Sequence, residues 1–446
     1  MTDQRFSHTA EELAAIAAQA LDFARAAGAT ACETEVSIGF GQSVTVRLSD
    51  VETIEYNRDK GLGITVYVGR QRGHAGTSDF SRDALKQTAE AAVAIARHTA
   101  ADECAGLADR ELLAREVPDL DLYHPWNLPV EQAIELAKQA EGAAMAVDPR
   151  IANSEGATVS VHEARFVYAN SSGFSGGYPT SRHSVSCAVI GGEGDAMQRD
   201  YWYSTARVPA ELEPADEVGR RAGRRTAERL GARKIATAQV PVIFEAPLAS
   251  SLIGHFVHAA SGGSLYRRAS FLVDRLGERV FSDAVTIRER PHLPRGLGSA
   301  PFDDEGVATR DRDVVAGGTL SGYFLGSYSA RKLKMRTTGN AGGNHNLLVE
   351  SGSRDLPGLL REMGTGLLVT ELLGHGVNIV TGDYSRGAAG YWVENGEIAY
   401  PVQEITIAGN LAEMFRGVVA VGTDVVVRGS KQCGSILVDR MTVAGD

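Results

Sequence analysis

The chain has 446 residues, 43% hydrophobic, 23% charged and 7% aromatic, with 50 Gly and 14 Pro, a globular composition that excludes collagen-like, low-complexity and wholly disordered chains. At ~150 residues per domain the length suggests roughly two or three domains, each able to bury a core. The formal charge of −11, from 45 Lys+Arg against 56 Asp+Glu, argues against the nucleic-acid backbone and against an anionic membrane surface as partners.

The polar start, Met1 to Thr9, has no basic segment leading into an apolar run, so no secretory leader is expected. Thr9 and Glu12 have capping-box spacing, and Leu13, Ile16, Ala20, Leu21 and Ala24 recur at helical intervals until Gly28. Period-two alternation then predicts strands through Val36, Ile38 and Phe40, through Val44, Val46 and Leu48, and through Leu62, Ile64, Val66 and Val68. From Ser81 the period is helical again, through Leu85, Ala89, Val93 and Ala96, and residues 100–128 read as a connector.

A second block repeats this order of elements without repeating residues. A helix runs from Pro129 to about Val147, strands lie near 157–169, 184–190 and 198–205, and Asn170-Ser171-Ser172-Gly173 is a turn. A polar helix from about Pro214 to Arg233 closes the block. From residue 237 the chain is glycine-rich and strand-like after one apolar helix. Gln239–Glu245 reads as a strand, Pro247 starts a helix ending at Gly262-Gly263, and Asn395-Gly396 marks a hairpin because both positions accept positive φ. Strands near 403–408, 424–428 and 434–443 finish the chain. Helices and strands in segregated runs give an α+β class. The expected division is an N-terminal α+β domain (1–110), a central α+β domain (111–236) and a C-terminal β-rich domain (237–446).

No stretch approaches the ~20 apolar residues that span a bilayer. Cys32, Cys104, Cys187 and Cys433 are far apart and form no C-x-x-C pair; that fits a reducing compartment, and a cytoplasmic location is expected. The first three read as small buried hydrophobes.

The segment Pro247–Gly263, PLASSLIGHFVHAASGG, is the most informative. On a helix Ser251, His255 and His258 form one polar stripe, while Leu248, Leu252, Ile253, Phe256 and Val257 mark the other faces for burial. Two imidazoles on one stripe could supply two zinc ligands and Cys433 a third; histidines satisfied by hydrogen bonds in a core or cleft are the commoner outcome. The metalloprotease pattern H-E-x-x-H is not met, since no Glu follows His255, and His162-Glu163 has Phe166 where a second His belongs.

Three stretches, Thr381–Ile398 (TGDYSRGAAGYWVENGEI), Pro401–Leu411 and Gln432-Cys433-Gly434-Ser435, resemble the hallmarks of the TldD/PmbA family. The resemblance is to its PmbA (TldE)-type subunits and covers essentially the whole chain. It implies an N-terminal α+β region followed by a β-rich C-terminal domain, in a cytosolic heterodimer of TldD-type and TldE-type subunits. The implied activity is that of a zinc metallopeptidase on unfolded or extended peptides, including peptide-antibiotic precursors and antitoxins; an older label is modulator of DNA gyrase. The TldD-type zinc motif, His-Glu-x-x-Gly-His with a later Cys, falls here on Ser250-Ser251-Leu252-Ile253-Gly254-His255 and Cys433. Serines thus stand where the first ligand and the general base belong, and a hydroxyl is a poor zinc ligand and no base for water activation. No catalytic residue and no cofactor is therefore expected in this chain, the zinc belonging to a TldD-like partner. His255, His258, His375 and Cys433 are candidates for contacting substrate.

The same residues allow other readings. His255, His258 and Cys433 could make a self-sufficient metallopeptidase, or the chain could be a non-enzymatic regulator of a gyrase-type topoisomerase or of toxin–antitoxin partners. The stripe Arg221, Arg225, Arg229 and Arg233, with Arg220 and Arg224 beside it and Glu217 before it, reads as a solvated helix face. Gly339, Gly342 and Gly343 ahead of His345 match no phosphate-binding pattern. His375, between Gly374 and Gly376, lies in a turn that could border a substrate cleft.

Overall fold

A computed structural model describes residues 5–445; residues 1–4, part of the polar start, and residue 446 lie outside the described residues. Helix α1 (Ala10–Ala26) begins with the capping box: the Glu12 backbone N–H donates to Thr9 Oγ1 at 3.2 Å and that of Thr9 to the Glu12 carboxylate at 2.8 Å. There follow β1 (Ala31–Arg47), β2 (Asp50–Val68), β3 (Gln71–Thr77) and α2 (Arg82–His98). The second block is α3 (Val130–Met145), β4 (Ile151–Asn170), β5 (Ser175–Gly176), β6 (Pro179–Gly191), β7 (Gln198–Ala206) and α4 (Ala215–Glu228). Both blocks build one antiparallel sheet of order β3-β2-β1-β4-β6-β7, with β5 beside β4, symmetric about the β1–β4 pair.

All four helices cover the same face. Even-numbered Val36 and Ile38 of β1, with Val167 of β4, pack under α1 and α2. Val44 and Val46, with Val159 and Val161, pack under α3 and α4. The opposite face sends Phe166, Tyr168 and Tyr178 against Phe302 and Val307 of the C-terminal part.

β2 departs from expectation, because residues 50–60 form a strand that the sequence pattern hides. Every side chain in that stretch is exposed, so neither face selects for apolar residues and no alternation arises. The β1–β2 turn is hidden too. Leu48 and Ser49 take positive φ of 50° and 68° without the usual Asn or Gly, and the buried Glu141 carboxylate of α3 accepts from their backbone N–H groups at 2.8 and 2.7 Å.

The C-terminal part continues with β8 (Ala238–Phe244), α5 (Ala246–Ala259), α6 (Gly262–Tyr266), β9 (Ile287–Glu289), β10 (Arg312–Ala316), β11 (Thr319–Leu320), α7 (Ser327–Lys332) and β12 (Leu347–Val349). Then come α8 (Leu356–Met363), β13 (Gly366–Leu373), β14 (Asp383–Glu394), β15 (Glu397–Asn410), α9 (Leu411–Arg416), β16 (Val418–Val421), β17 (Lys431–Gln432) and β18 (Ile436–Ala444). One sheet has the order β11-β10-β9-β12-β17; the other runs β15-β14-β13-β8-β18-β16, and a β15–β18 pairing closes five of its strands into a ring. The Asn395-Gly396 turn has φ of 53° and 79°, as its sequence predicts. The expected strand at 424–428 is absent; that stretch is an extended strap lying against β7. The architecture is α+β with a β-rich C-terminal part, and no helix of the described residues is long and apolar enough to cross a membrane.

Candidate functional site

Helix α5 sets the frame. Ala249, Leu252, Ile253, Phe256 and Ala259 turn into the core, where Phe256 meets Phe281, Phe324 and Phe415 edge-on. Helical geometry then leaves Ser251 and His255 half-buried and His258 exposed on the other stripe. The serines are satisfied within the helix: Ser250 Oγ donates to Pro247 O at 3.1 Å and Ser251 Oγ to Leu248 O at 2.7 Å.

His255 stands edge-on to Tyr384 with ring centroids 5.9 Å apart. Among the described residues, its Nε2 and Arg386 Nε are both buried without a hydrogen-bond partner. Burial, then the charges of Arg386 and His258, lower the His255 pKa, so the ring is neutral at neutral pH. Burial lifts the Tyr384 phenol to about 12 against the opposing pull of Arg386. His375 is exposed on the loop after β13, and that loop reaches Tyr384 through the Val377–Tyr384 bridge. The stripe of α5 and the His375 loop therefore flank one tyrosine.

Cys433 is not part of that grouping as a surface group. It is 1% exposed, packed in the core cluster that holds Phe244 and Phe256, with Sγ 3.1 Å from Gly434 O. Burial, then the Asp424 carboxylate, push its thiol well above the usual range, which keeps it protonated and a poor ligand. The candidate Cys433 is therefore placed in the core of this chain, apart from the exposed His258 and His375. Among the described residues no three His, Cys, Asp or Glu side chains are placed to hold one metal ion. His255, His258 and Cys433 do not form a centre, and the donor set present does not fit zinc.

The arginine stripe also requires correction. Arg220 and Arg224 do lie in solvent on Asp216 and Glu217, but Arg225 and Arg229 are turned inward. Arg225 makes a bidentate pair with Glu245, at 2.7 and 3.0 Å, and reaches Asp200 at 3.2 Å. Arg229 bridges Asp200 and Glu371. Glu245 immediately precedes α5 and Glu371 lies on β13, so these pairs tie α4 to the candidate site. Arg221 stacks on Trp202 at 3.8 Å and Arg233 on Tyr400 at 3.4 Å.

Cavities lie along the seam between the N-terminal sheet and the C-terminal part, and two of them are large. One, of about 940 Å³, is lined by Glu33, Glu35, Gly61 and Gly63 on one side and by Asp304 and Glu305 on the other. The hydroxyls of Tyr67 and Tyr168 donate to Glu33 at 3.1 and 2.7 Å. Burial raises the pKa of Glu33, Glu35 and Asp304, and takes the neighbouring Asp303 to about 7 with help from the Glu305 charge. The other, of about 840 Å³, lies between β7 and the 424–428 strap, where Arg428 is sandwiched 3.9 Å from both the Trp202 and Tyr203 rings.

The remaining sequence candidates are structural. Glu163 is buried and accepts from Arg5, from the Tyr123 hydroxyl at 3.0 Å and from the Trp126 backbone at 3.3 Å. The glycine-rich loop before His345 wraps buried Glu289, which accepts from Asn340 and from the His345 backbone, each at 2.8 Å. Cys32 and Cys187 are buried as expected, whereas Cys104 is half-buried. Sequence reasoning assigned no role to Tyr384, Arg386 or Arg428. The first two lie inside the family-like stretch at 381–398, so that stretch held the signal; Arg428 had none, because its ring partners come from a strand more than two hundred residues earlier.

Three family models match the chain in order: PmbA/TldA metallopeptidase domain 1 over residues 32–96, its central domain over 123–230 and its C-terminal domain over 237–445. A Metalloprotease PmbA homolog of Haemophilus influenzae is 50% identical over 437 residues, covering 98% of this chain and 97% of that protein. The same organism has a Metalloprotease TldD homolog, 23% identical over 384 residues, covering 81% and 79%. A crystal structure from Bacteroides thetaiotaomicron, described as a modulator of DNA gyrase, superposes with a TM-score of 0.93 at 29% identity, covering 98% of this chain and 100% of that one. With three matching domains and a near-full-length relative of half its sequence, the chain belongs to the PmbA/TldD family of metallopeptidases.

Proposed function

We propose that this chain is the PmbA/TldE-type subunit of a heterodimeric TldD/TldE zinc metallopeptidase, and that it binds and presents unfolded or extended peptides while a TldD-like partner holds the zinc and the general base. The reading is carried by α5, where Ser250 and Ser251 occupy the motif positions of the first His and the Glu and spend their hydroxyls on helix carbonyls. Water activation needs a carboxylate within hydrogen-bond reach, and this helix offers none. His255 and Arg386 instead present a neutral imidazole and a cation, each with a buried unpartnered nitrogen, suited to holding peptide carbonyl or carboxylate oxygen. The seam cavity supports the substrate class: Gly61, Gly63 and Gly76 line it, and glycine lets a second backbone approach a strand closely. A cytoplasmic location belongs to the same reading.

Co-expression with a TldD-like subunit carrying the intact motif tests it. A stable complex is expected, with zinc at one equivalent and peptide hydrolysis only when both chains are present. Hydrolysis by this chain alone, or equimolar zinc in it alone that is lost on Cys433→Ala, overturns the proposal.

A further inference from the structure

The 424–428 strap leaves much of its hydrogen-bonding capacity unspent. Val426 packs against the core cluster that holds Trp202, which anchors the strap, while Val425 and Val427 are 39% and 47% exposed. Among the described residues, the peptide groups of Val425, Val426 and Val427 make no backbone hydrogen bond. Across the cavity β7 ends its sheet, so its outer edge has no strand beside it either. Unpaired backbone on both sides of one cavity is the arrangement that an extended peptide fills by strand addition.

The charges indicate what such a peptide carries. Each carboxylate lining the cavity is engaged: Glu211 with Arg295, Glu213 with Arg221 and the Trp202 indole N–H, and Asp424 with the hydroxyl and backbone N–H of Ser435. Arg428 has no such partner. Among the described residues its Nε and Nη2 are buried without a hydrogen-bond partner, and the Trp202 and Tyr203 rings hold the guanidinium in place with its donors unspent. Arg207, buried in the cavity wall, donates to the carbonyl oxygens of Gly296, Leu297, Leu122 and Ser181 and to no carboxylate. Two guanidinium charges without a counter-ion thus border this cavity, in a chain whose net charge is −11. A buried donor set of that kind suits an oxyanion.

We propose that this cavity is a binding site for extended peptide, separate from α5, in which the peptide backbone pairs with Val425–Val427 and a peptide carboxylate is held by Arg428. The carboxylate is the C-terminus of the peptide or an Asp or Glu side chain. Arg207 contributes its field, since its own donors are spent on carbonyls. The site needs neither zinc nor a TldD-like subunit, so it stands or falls apart from the proposed function.

The test uses the full chain by itself and a dye-labelled, unstructured Ser/Thr/Ala peptide in three forms: the free acid, the C-terminal amide, and that amide with one internal Asp. Fluorescence anisotropy reads the affinity. The free acid, the Asp form or both should bind at least about tenfold more tightly than the plain amide, the contribution of one charge-assisted hydrogen bond. Which of them does so tells a terminal from a side-chain carboxylate. Arg428→Gln should remove the preference, and circular dichroism checks its fold. Hydrogen exchange on the wild type locates the peptide without any substitution: the Val425–Val427 amides, unpaired in the free chain, should exchange more slowly when it binds. Equal affinity for all three forms overturns the inference, as does a preference that Arg428→Gln retains. So does bound peptide that leaves exchange at Val425–Val427 unchanged. Binding that His255→Ala abolishes and Arg428→Gln spares puts the peptide at α5, which overturns this inference and leaves the proposed function standing.

Discussion

Arg225 and Arg220 sit five residues apart on one helix, yet their environments are opposite. Arg220 reaches exposed carboxylates on its own helix, whereas Arg225 is locked between Asp200 and Glu245. Removing one member of a buried pair strands the other charges, so Arg225→Ala should lower the unfolding free energy by about 3–5 kcal/mol. Arg220→Ala should change it by less than about 0.5 kcal/mol. Urea denaturation of both variants checks the contrast. In the proposed complex with a TldD-like subunit, Ser251→Ala should leave the hydrolysis rate nearly unchanged, since loss of a true proton-transfer group costs ~10²–10⁴-fold. His255→Ala should raise KM while kcat survives, as expected for lost substrate binding; steady-state cleavage of an unstructured peptide reads both. At this scale the sequence discloses residue type but not partner. The helical run of α5 was legible because its apolar period is local. The inward turn of Arg225 and the burial of Cys433 were not, because Asp200, Glu245 and the core around Phe244 and Phe256 come from distant segments.

Elements were legible wherever one face meets the core. α1, α2, the buried half of β1 and the Asn395-Gly396 hairpin all carry their period or turn chemistry in the sequence. The exposed half of β2 carries neither, and its turn is set by a tertiary contact, the Glu141 carboxylate, in place of turn residues. That makes the turn improvable. Leu48→Asn with Ser49→Gly should raise stability by about 1 kcal/mol by relieving two left-handed residues. Glu141→Ala should cost about 2–3 kcal/mol, since it removes a charged acceptor from two backbone donors. Thermal unfolding of the two variants checks both signs. The 424–428 run shows the converse error, for Val425, Val426 and Val427 look like a strand yet serve as a strap over the Trp202 cavity.

For the molecule as a whole, the seam between the sheet and the C-terminal part holds carboxyls whose pKa values burial has raised. The unfolded chain releases the Asp303 proton near pH 4, while the folded chain retains it to about 7. Between those values the folded state binds more protons, so this group makes stability fall as pH rises. Glu33, Glu35 and Asp304 act in the same direction. The stability of Asp303→Asn relative to wild type should therefore improve by on the order of 2 kcal/mol between about pH 5 and pH 7.5. Urea titrations at the two pH values measure it.

The central β1–β4 pairing has a consequence for how the protein is made. Glu33 finds its partner in Asn170, and Val46 in Ala157, so β1 leaves the ribosome long before the strand that completes its hydrogen bonds. At ~5–20 residues per second the nascent chain carries that open edge for on the order of ten seconds. The even-numbered valines that later lie under α3 are bare for the same interval. Expression yield should therefore depend on holdase chaperones and on elongation speed through residues 48–157, more than on the final stability of the folded chain.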